Sequence, residues 1–322
     1  MKTLIRWLVL LIAASVLSTG GAQTYPAKPV RLIVPFPAGG PADIFGRFLA
    51  QGMSARLGQP VVIENISGLS GALGVDRAAK SQPDGYTLAV ISSTAASIGP
   101  FAIANMPFDP GRDLALITTM VRVPEVVVVH PSLPVNALAE LVAYAKANPG
   151  KVNYGSAGAG GITHLAGELL KVEAAIDIVH VPYKGAAPAV NDLLGGQVQM
   201  GIFDVPVVLP HIRAGKLKAL AITSRKRATT LPEAPTTAEA GYPNVLSDNW
   251  YGLIGPLGMP SLVFNRIHAA AVAALNSSEV AENYAKVSGV PMPSSPEEFA
   301  VFLAQDQAKW GGVVRAIGFK AE

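Results

Sequence analysis

Short runs of β-branched and aliphatic residues alternate along the chain with longer stretches whose apolar positions recur every three or four residues. This is the pattern of βαβ units feeding a largely parallel sheet. Val30–Val34 reads as a strand, and Ile44, Phe45, Phe48, Leu49 and Leu57 share one face of the helix after it. Val61–Glu64 is the next strand, and a helix around Leu73–Ala79 leads to a third, Tyr86–Ile91, which ends in Ser92, Ser93 and Thr94. A second set of alternations follows the apolar run Leu114–Val123, which Pro124 interrupts before Val126–Val129 resumes it, so the chain is expected to cross between lobes here. The spacing predicts strands at Val126–Val129, Val152–Tyr154, Ile176–Val181, Val198–Phe203 and Leu217–Thr223, and helices at Ala137–Ala147, Thr163–Lys171, Ala186–Leu194 and Val207–Ala214. Ser224–Ser247, rich in Pro, Thr and charge, reads as a connection with one helical turn. After Trp250–Gly255 the strand pattern gives way to three helices near Pro260–Asn276, Ser278–Ser288 and Pro296–Ile317. Pro260 and Pro296 suit a first helical turn, where a missing N–H costs little.

A chain that leaves one set of strands, builds another and returns predicts an α/β protein of two lobes, each a mostly parallel sheet flanked by helices, joined by two hinge crossings. The expected boundaries are 1–22 for a leader, 23–123 with 226–322 for lobe 1, and 124–225 for lobe 2. The leader is read from Lys2 and Arg6, the apolar run Leu8–Val16 and the small residues Thr19–Ala22, which is the layout of a cleavable secretory signal. Its uncharged stretch is far short of the roughly 20 residues a membrane-spanning helix needs.

Removing that leader takes away two basic residues and no acidic ones, leaving 23 Lys and Arg against 22 Asp and Glu. So even a balance gives no basic stripe for a phosphate backbone, and nucleic acid is excluded as a partner. The absence of cysteine rules out disulfides, thiolate catalysis and lipid attachment at an N-terminal Cys. Hydrophobic residues make up 50% and charged residues 15% of the chain, a composition that packs cores rather than one that stays disordered.

Ligands of open α/β sheets collect beyond the carboxyl ends of the strands, so the informative loops are those that leave a strand and enter a helix. Pro35–Gly40 is one, and its residues Pro37, Ala38, Gly39 and Gly40 stand before a helix whose dipole adds partial positive charge. Gly155–Gly161 is the second, with Ser156, Ala157, Gly158, Ala159, Gly160 and Gly161 forming an amide-lined turn with more glycine than packing requires. Ser92, Ser93, Thr94, Tyr183 and Asp204 lie at further predicted strand ends and are expected to wall the cleft. Asp43, in the first turn of its helix, stands between two roles: stabilising the N-terminus, which is favoured, and selecting ligands. Four hydrogen bonds to a carboxylate at roughly 1.5 to 3 kcal/mol each would suffice for the roughly 8 kcal/mol of micromolar binding.

Other chemistries find less support. Gly158 and Gly160 match two glycines of a dinucleotide fingerprint, but Thr163 occupies the third position. Tyr154 stands where a serine-hydrolase elbow around Ser156 needs glycine, so a secreted hydrolase using Ser156 and His164 is the rival from another class. The five histidines, His130, His164, His180, His211 and His268, lack the spacing of paired metal ligands on a helix. His164 is read as a support that orients the glycine loop, and Trp250 and Trp310 as core residues. No catalytic residue, metal or cofactor is expected.

The segments YPAKPVRLIVPFPAGGPAD, LGQPVVIEN, PDGYTLAV, FDPGRDL, ELVAYAKANPGKVNYGSAGAGG, THLAGELL, HVPYKGAAPAVNDLLGGQVQMGIFD, LPHIRAGKLKALAITS, EAGYP and WYGLIGP run in order from Tyr25 almost to the C-terminus. Together they resemble the substrate-binding proteins of tripartite tricarboxylate transporters, the Bug-type periplasmic receptors. The resemblance implies the type II-like two-lobed periplasmic binding protein fold, a monomer in the periplasm, and capture of a small carboxylate mainly by backbone amides of the two glycine loops. It implies delivery to membrane permease subunits; a loaded receptor docking on a membrane sensor is the other output. By motif match Pro37–Gly40 and Ser156–Gly161 take the amide role, with Asp204 opposite them. The ligand classes it implies are di- and tricarboxylates, acidic amino acids and aromatic acids. The chain departs from the family pattern at Gly161, where many members carry Ser, and at Pro41, which removes an amide donor. These departures leave an aromatic or otherwise less polar acid as open as citrate.

Overall fold

The computed structural model describes residues 25–319, so the expected leader at 1–22 lies outside the described residues. Strands β1 (Val30–Val34), β2 (Val61–Asn65) and β3 (Thr87–Ser92) pair in parallel with β1 in the middle. Helix α1 (Pro41–Leu57) follows β1 and α2 (Ala72–Ala79) follows β2. In the second lobe β5 (Asn153–Ser156) pairs in parallel with β6 (Val179–Pro182) and β7 (Met200–Asp204). Helices α3 (Leu138–Ala147), α4 (Ile162–Ala174), α5 (Ala186–Leu194) and α6 (Val205–Arg213) alternate with these strands.

The structure adds antiparallel strands to these parallel sets, and they pair through one long strand. The apolar run on either side of Pro124 is one strand, β4 (Leu114–Val129). Its first part pairs with β9 (Asp248–Pro256) and the short β10 (Val290–Pro291), and its last part with β7 and β8 (Lys218–Ile222), all antiparallel. Pro124 therefore does not end the strand as its lack of an N–H suggested. It falls at the changeover of partners, opposite Asp248 of β9 and one residue before Glu125 meets Asp204 of β7.

Each lobe buries both faces of its sheet, which explains the unbroken apolar runs. In β1, Val30, Leu32 and Val34 point into one cluster with Phe45, Leu49 and Met53 of α1, while Ile33 points into another with Val75 and Ile91. In β4, Val127 and Val129 join one lobe 2 cluster while Val126 and Val128 join another. Helices α7 (Ser261–Leu275), α8 (Ser278–Ala285) and α9 (Pro296–Ala316) close lobe 1, with Phe299 and Leu303 of α9 in the second of its clusters. Ser295 caps α9 reciprocally with Glu298. Trp250 and Trp310 are buried.

The expected lobe boundary at 225/226 moves. Ala228, Leu231 and Ala234 cover Val126 and Val128, and Val245 packs with Val127, so the segment from Arg225 to Leu246 belongs to the lobe 2 core. It holds turns, one of them closed by the helical bond from Ala240 N–H to the Thr236 carbonyl at 3.0 Å, and a bridge between Ile222 and Thr236. Its spaced apolar residues, too sparse for periodicity, are what cover lobe 2. The chain returns to lobe 1 at Asp248, beside the outgoing crossing at Pro124.

Candidate functional site

Helices α1 and α4 start from opposite lobes and open onto one cleft. The space between them, solvent at its mouth included, is about 480 Å³. Lobe 1 lines it with Phe36, Gly40, Pro41, Ser70, Ser92 and Thr94, lobe 2 with Ala157, Gly161, Ile162, Thr163, Ala186 and Asp204, and β9 with Asn249 and Tyr251. Gly40 and Gly161 are the N-cap residues of the two helices. The two positive helix ends therefore lie on one cavity, an arrangement that favours an anion.

The glycine loops spend most of their amides on themselves. Gly39, at φ +79°, donates its N–H to Asp43 Oδ2 at 3.0 Å, and Gly40 N donates to the Pro37 carbonyl at 3.3 Å. In the second loop Ala157 N donates to Thr163 Oγ1 (2.8 Å), Gly158 N to Ser156 Oγ (3.2 Å), Gly160 N to His164 Nδ1 (3.0 Å) and Gly161 N to the Gly158 carbonyl (3.2 Å). The second helical residues, Ala42 and Thr163, have N–H groups without an acceptor among the described residues. The unpaired donors at the edge of the cleft thus belong to the helix starts, and the glycines shape the turns before them.

Of the residues singled out from the sequence, Gly40, Ser92, Thr94, Ala157, Gly161 and Asp204 line the cleft. Gly158, Ala159 and Tyr183 line an adjoining groove with Phe36, His164, His180 and Phe319. Pro37, Ala38, Gly39, Asp43, Ser93, Ser156 and Gly160 line neither. Asp43 is turned into lobe 1, where its carboxylate takes both Arg47 (2.8 and 2.9 Å), Asn65 Nδ2 (3.0 Å) and Gly39 N. Burial pushes its carboxyl up, but the Arg47 hydrogen bond and the Gly39 N–H outweigh this and hold it below its ordinary value. Ser93 Oγ donates to Asn249 Oδ1 at 2.6 Å, a link from lobe 1 to the hinge strand.

Ser70, Thr163, Ala186, Asn249 and Tyr251 were not singled out from the sequence. For Ser70 a signal existed: Gly68-Leu-Ser-Gly71 stands between a strand and a helix. All four residues have positive φ, unusual for Leu69 (49°) and Ser70 (51°), and Ser70 Oγ donates to the Ala159 carbonyl across the cleft at 2.9 Å. For Asn249 and Tyr251 there was none, because β9 reaches the cleft only by pairing between β3 and β4.

The base of the cleft is acidic. Asp204, at the end of β7, accepts from Asn249 Nδ2 (3.1 and 2.9 Å) and from Tyr251 OH (2.5 Å). Burial pushes its carboxyl up to about 7, against the lowering effect of those two donors.

Ser156 and His164 do not form the pair a hydrolase needs. Ser156 is fully buried with Oγ 2.6 Å from His180 Nε2, while His164 Nδ1 accepts from Gly160 as a loop support. His164 stacks on His180 with ring centroids 3.7 Å apart. Burial first, then a neighbouring positive or imidazole group, lowers both to about 4.

Two α/β lobes on paired connecting strands, with two helix starts facing one cleft, define a two-lobed solute-binding protein. Residues 45–319 match the tripartite tricarboxylate transporter family receptor, and the chain belongs to this family. It is 39% identical to protein BugT of Bordetella pertussis over 313 residues, 97% of this chain and 96% of BugT. The periplasmic binding protein BugD shares the fold with a TM-score of 0.89 at 33% identity, over 92% of this chain and all of BugD. An R. palustris protein solved with adipate superposes with a TM-score of 0.90 at 32% identity, over 92% of this chain and all of its own.

Proposed function

We propose that the protein is an exported receptor that captures a small carboxylate between its lobes and delivers it to membrane permease subunits of a tripartite tricarboxylate transporter, without chemical change to the ligand. The observation that carries this reading is the convergence of the α1 and α4 N-termini, with the Ala42 and Thr163 N–H groups free to donate, on a cleft closed from both sides. The carboxyl end of the ligand lies at the helix starts, and its other end faces Asp204, Asn249 and Tyr251. The adipate-bound relative supports a carboxylate as the ligand class. Export through the leader at residues 1–22 places the receptor in the periplasm, and it works as a monomer.

Thermal unfolding of purified, ligand-stripped protein against a panel of mono-, di- and tricarboxylates, acidic amino acids and aromatic acids tests this. A ligand at about 100 times its Kd adds roughly 2.7 kcal/mol, a Tm rise of several degrees. A panel in which no acid raises Tm overturns the reading.

A further inference from the structure

Glu125 follows Pro124 at the outgoing crossing, and its cross-strand partner on β7 is Asp204. Directly opposed residues of an antiparallel pair carry their side chains on one face, with Cβ atoms roughly 5 Å apart. Glu125 is 0% exposed and Asp204 2%. Two carboxylates this close, both out of water, do not both stay ionised.

Hydrogen bonding decides which of them carries the charge. Asp204 receives three contacts from the amide of Asn249 and the hydroxyl of Tyr251, the surroundings of a carboxylate. Glu125 has one partner, the Ser247 hydroxyl at Oε2, and its Oε1 is buried with none among the described residues. A hydroxyl can accept as well as donate, so Ser247 can take a hydrogen bond from a Glu125 O–H. The other titratable groups whose charge acts on Glu125 are Asp248 and Tyr251 on β9 and Lys309 on α9. Asp248 adds negative charge, and Lys309 is the weakest of the named influences.

We propose that Glu125 is a neutral carboxylic acid in the folded protein, holding one proton for the Glu125–Asp204 pair where both connecting strands pass between the lobes. Burial, then Asp204, pushes the Glu125 carboxyl well above its ordinary value of 4.5, in keeping with that arrangement. The retained proton limits the cleft base to a single negative charge, which lets an anion close against it; this consequence rests on the receptor reading above.

The pH dependence has a definite sign. Below 4.5 both the folded and unfolded chains hold this proton, and it makes no difference to stability. As pH rises above 4.5 the unfolded chain sheds the proton and the folded one keeps it, so stability falls until the folded carboxyl also ionises.

The test uses ligand-free protein. With glutamate carboxyl groups labelled with carbon-13, infrared spectra near neutral pH should show a protonated-carboxyl C=O band that moves with the label and is missing from Glu125→Gln. A wild-type spectrum without such a band overturns the proposal, and this reading does not depend on whether the variant folds. Between about pH 6.5 and about pH 8.5 the wild-type Tm should fall more steeply than that of Glu125→Gln, the difference reaching roughly 2 to 4 °C. Equal slopes overturn the proposal as well. Neither measurement involves a ligand, so a failed carboxylate panel bears on the receptor reading alone.

Discussion

Thr94 Oγ1 on lobe 1 accepts the N–H of Ile162, the first residue of α4 on lobe 2, at 3.1 Å. The bond satisfies one orphan donor of a helix start with a group from the opposite lobe, so helix capping and closure are one interaction. Ile98 and Ala102 of lobe 1, Ile162 and Leu165 of lobe 2, and Trp310 and Val314 of α9 form an apolar cluster across the same seam.

Thr94→Val should keep the shape and remove the acceptor. The Ile162 N–H is then buried unpaired on closure and hydrated when open, at a cost of roughly 1 to 3 kcal/mol to the closed form. Carboxylate affinity by calorimetry is expected to drop by about tenfold, with the far-ultraviolet dichroism unchanged.

Asp43 lines no part of the cleft, yet it ties the Gly39 amide, Arg47 and Asn65 into one unit. Asp43→Ala should loosen the turn that aims the α1 N-terminus. Losing a hydrogen bond to a charged group, at roughly 1.5 to 3 kcal/mol, predicts an affinity loss of about tenfold or more. Asp43→Asn, which keeps the Gly39 bond, should lose less; equal losses would argue against loop support.

His164 and His180 are neutral in the fold, each lowered from 6.5 to about 4 by burial. Between those values the two imidazoles bind protons in the unfolded chain that they do not bind in the folded one, so their contribution to stability falls as pH drops through that window and levels off below it. The urea midpoint of the wild type relative to that of His180→Gln should therefore be lower at about pH 4.5 than at about pH 7, a comparison in which the opposing contribution of Glu125 cancels.

Gly167 sits in α4 against Tyr154, and a Cβ there would lie 2.3 Å from the ring. Tyr154 is fully buried and its hydroxyl donates to Glu168 at 2.6 Å, so the ring has little room to yield. Gly167→Ala should destabilise the protein by about 1 to 3 kcal/mol despite its better helix propensity, read as a lower Tm.

The strands and helices were legible wherever a local period of two or about four residues coincided with burial. Ala186–Leu194 was read at its observed bounds, and Val30–Val34 likewise. The strand at Ile176–Val181 is shorter and later, Val179–Pro182, because Ile176 and Ile178 are buried as core residues ahead of the ladder. The parts of the candidate site legible in the sequence were loops that bend visibly, with glycines before helices. The turn at Ser70 is harder to read, because its glycines flank an ordinary Leu-Ser pair although all four residues adopt positive φ.

The sequence by itself determined the two sets of βαβ units, the helices that follow the two glycine loops, and the near-neutral charge balance, since each depends on neighbours within a few residues or on composition alone. Only the tertiary structure decided that β4 runs through Pro124, that the segment from Arg225 to Leu246 covers lobe 2, and that Asn249, Tyr251 and Glu125 gather around Asp204. Those facts depend on which strand pairs with which across more than forty residues, and strand pairing is fixed by burial of whole faces, which no local pattern records.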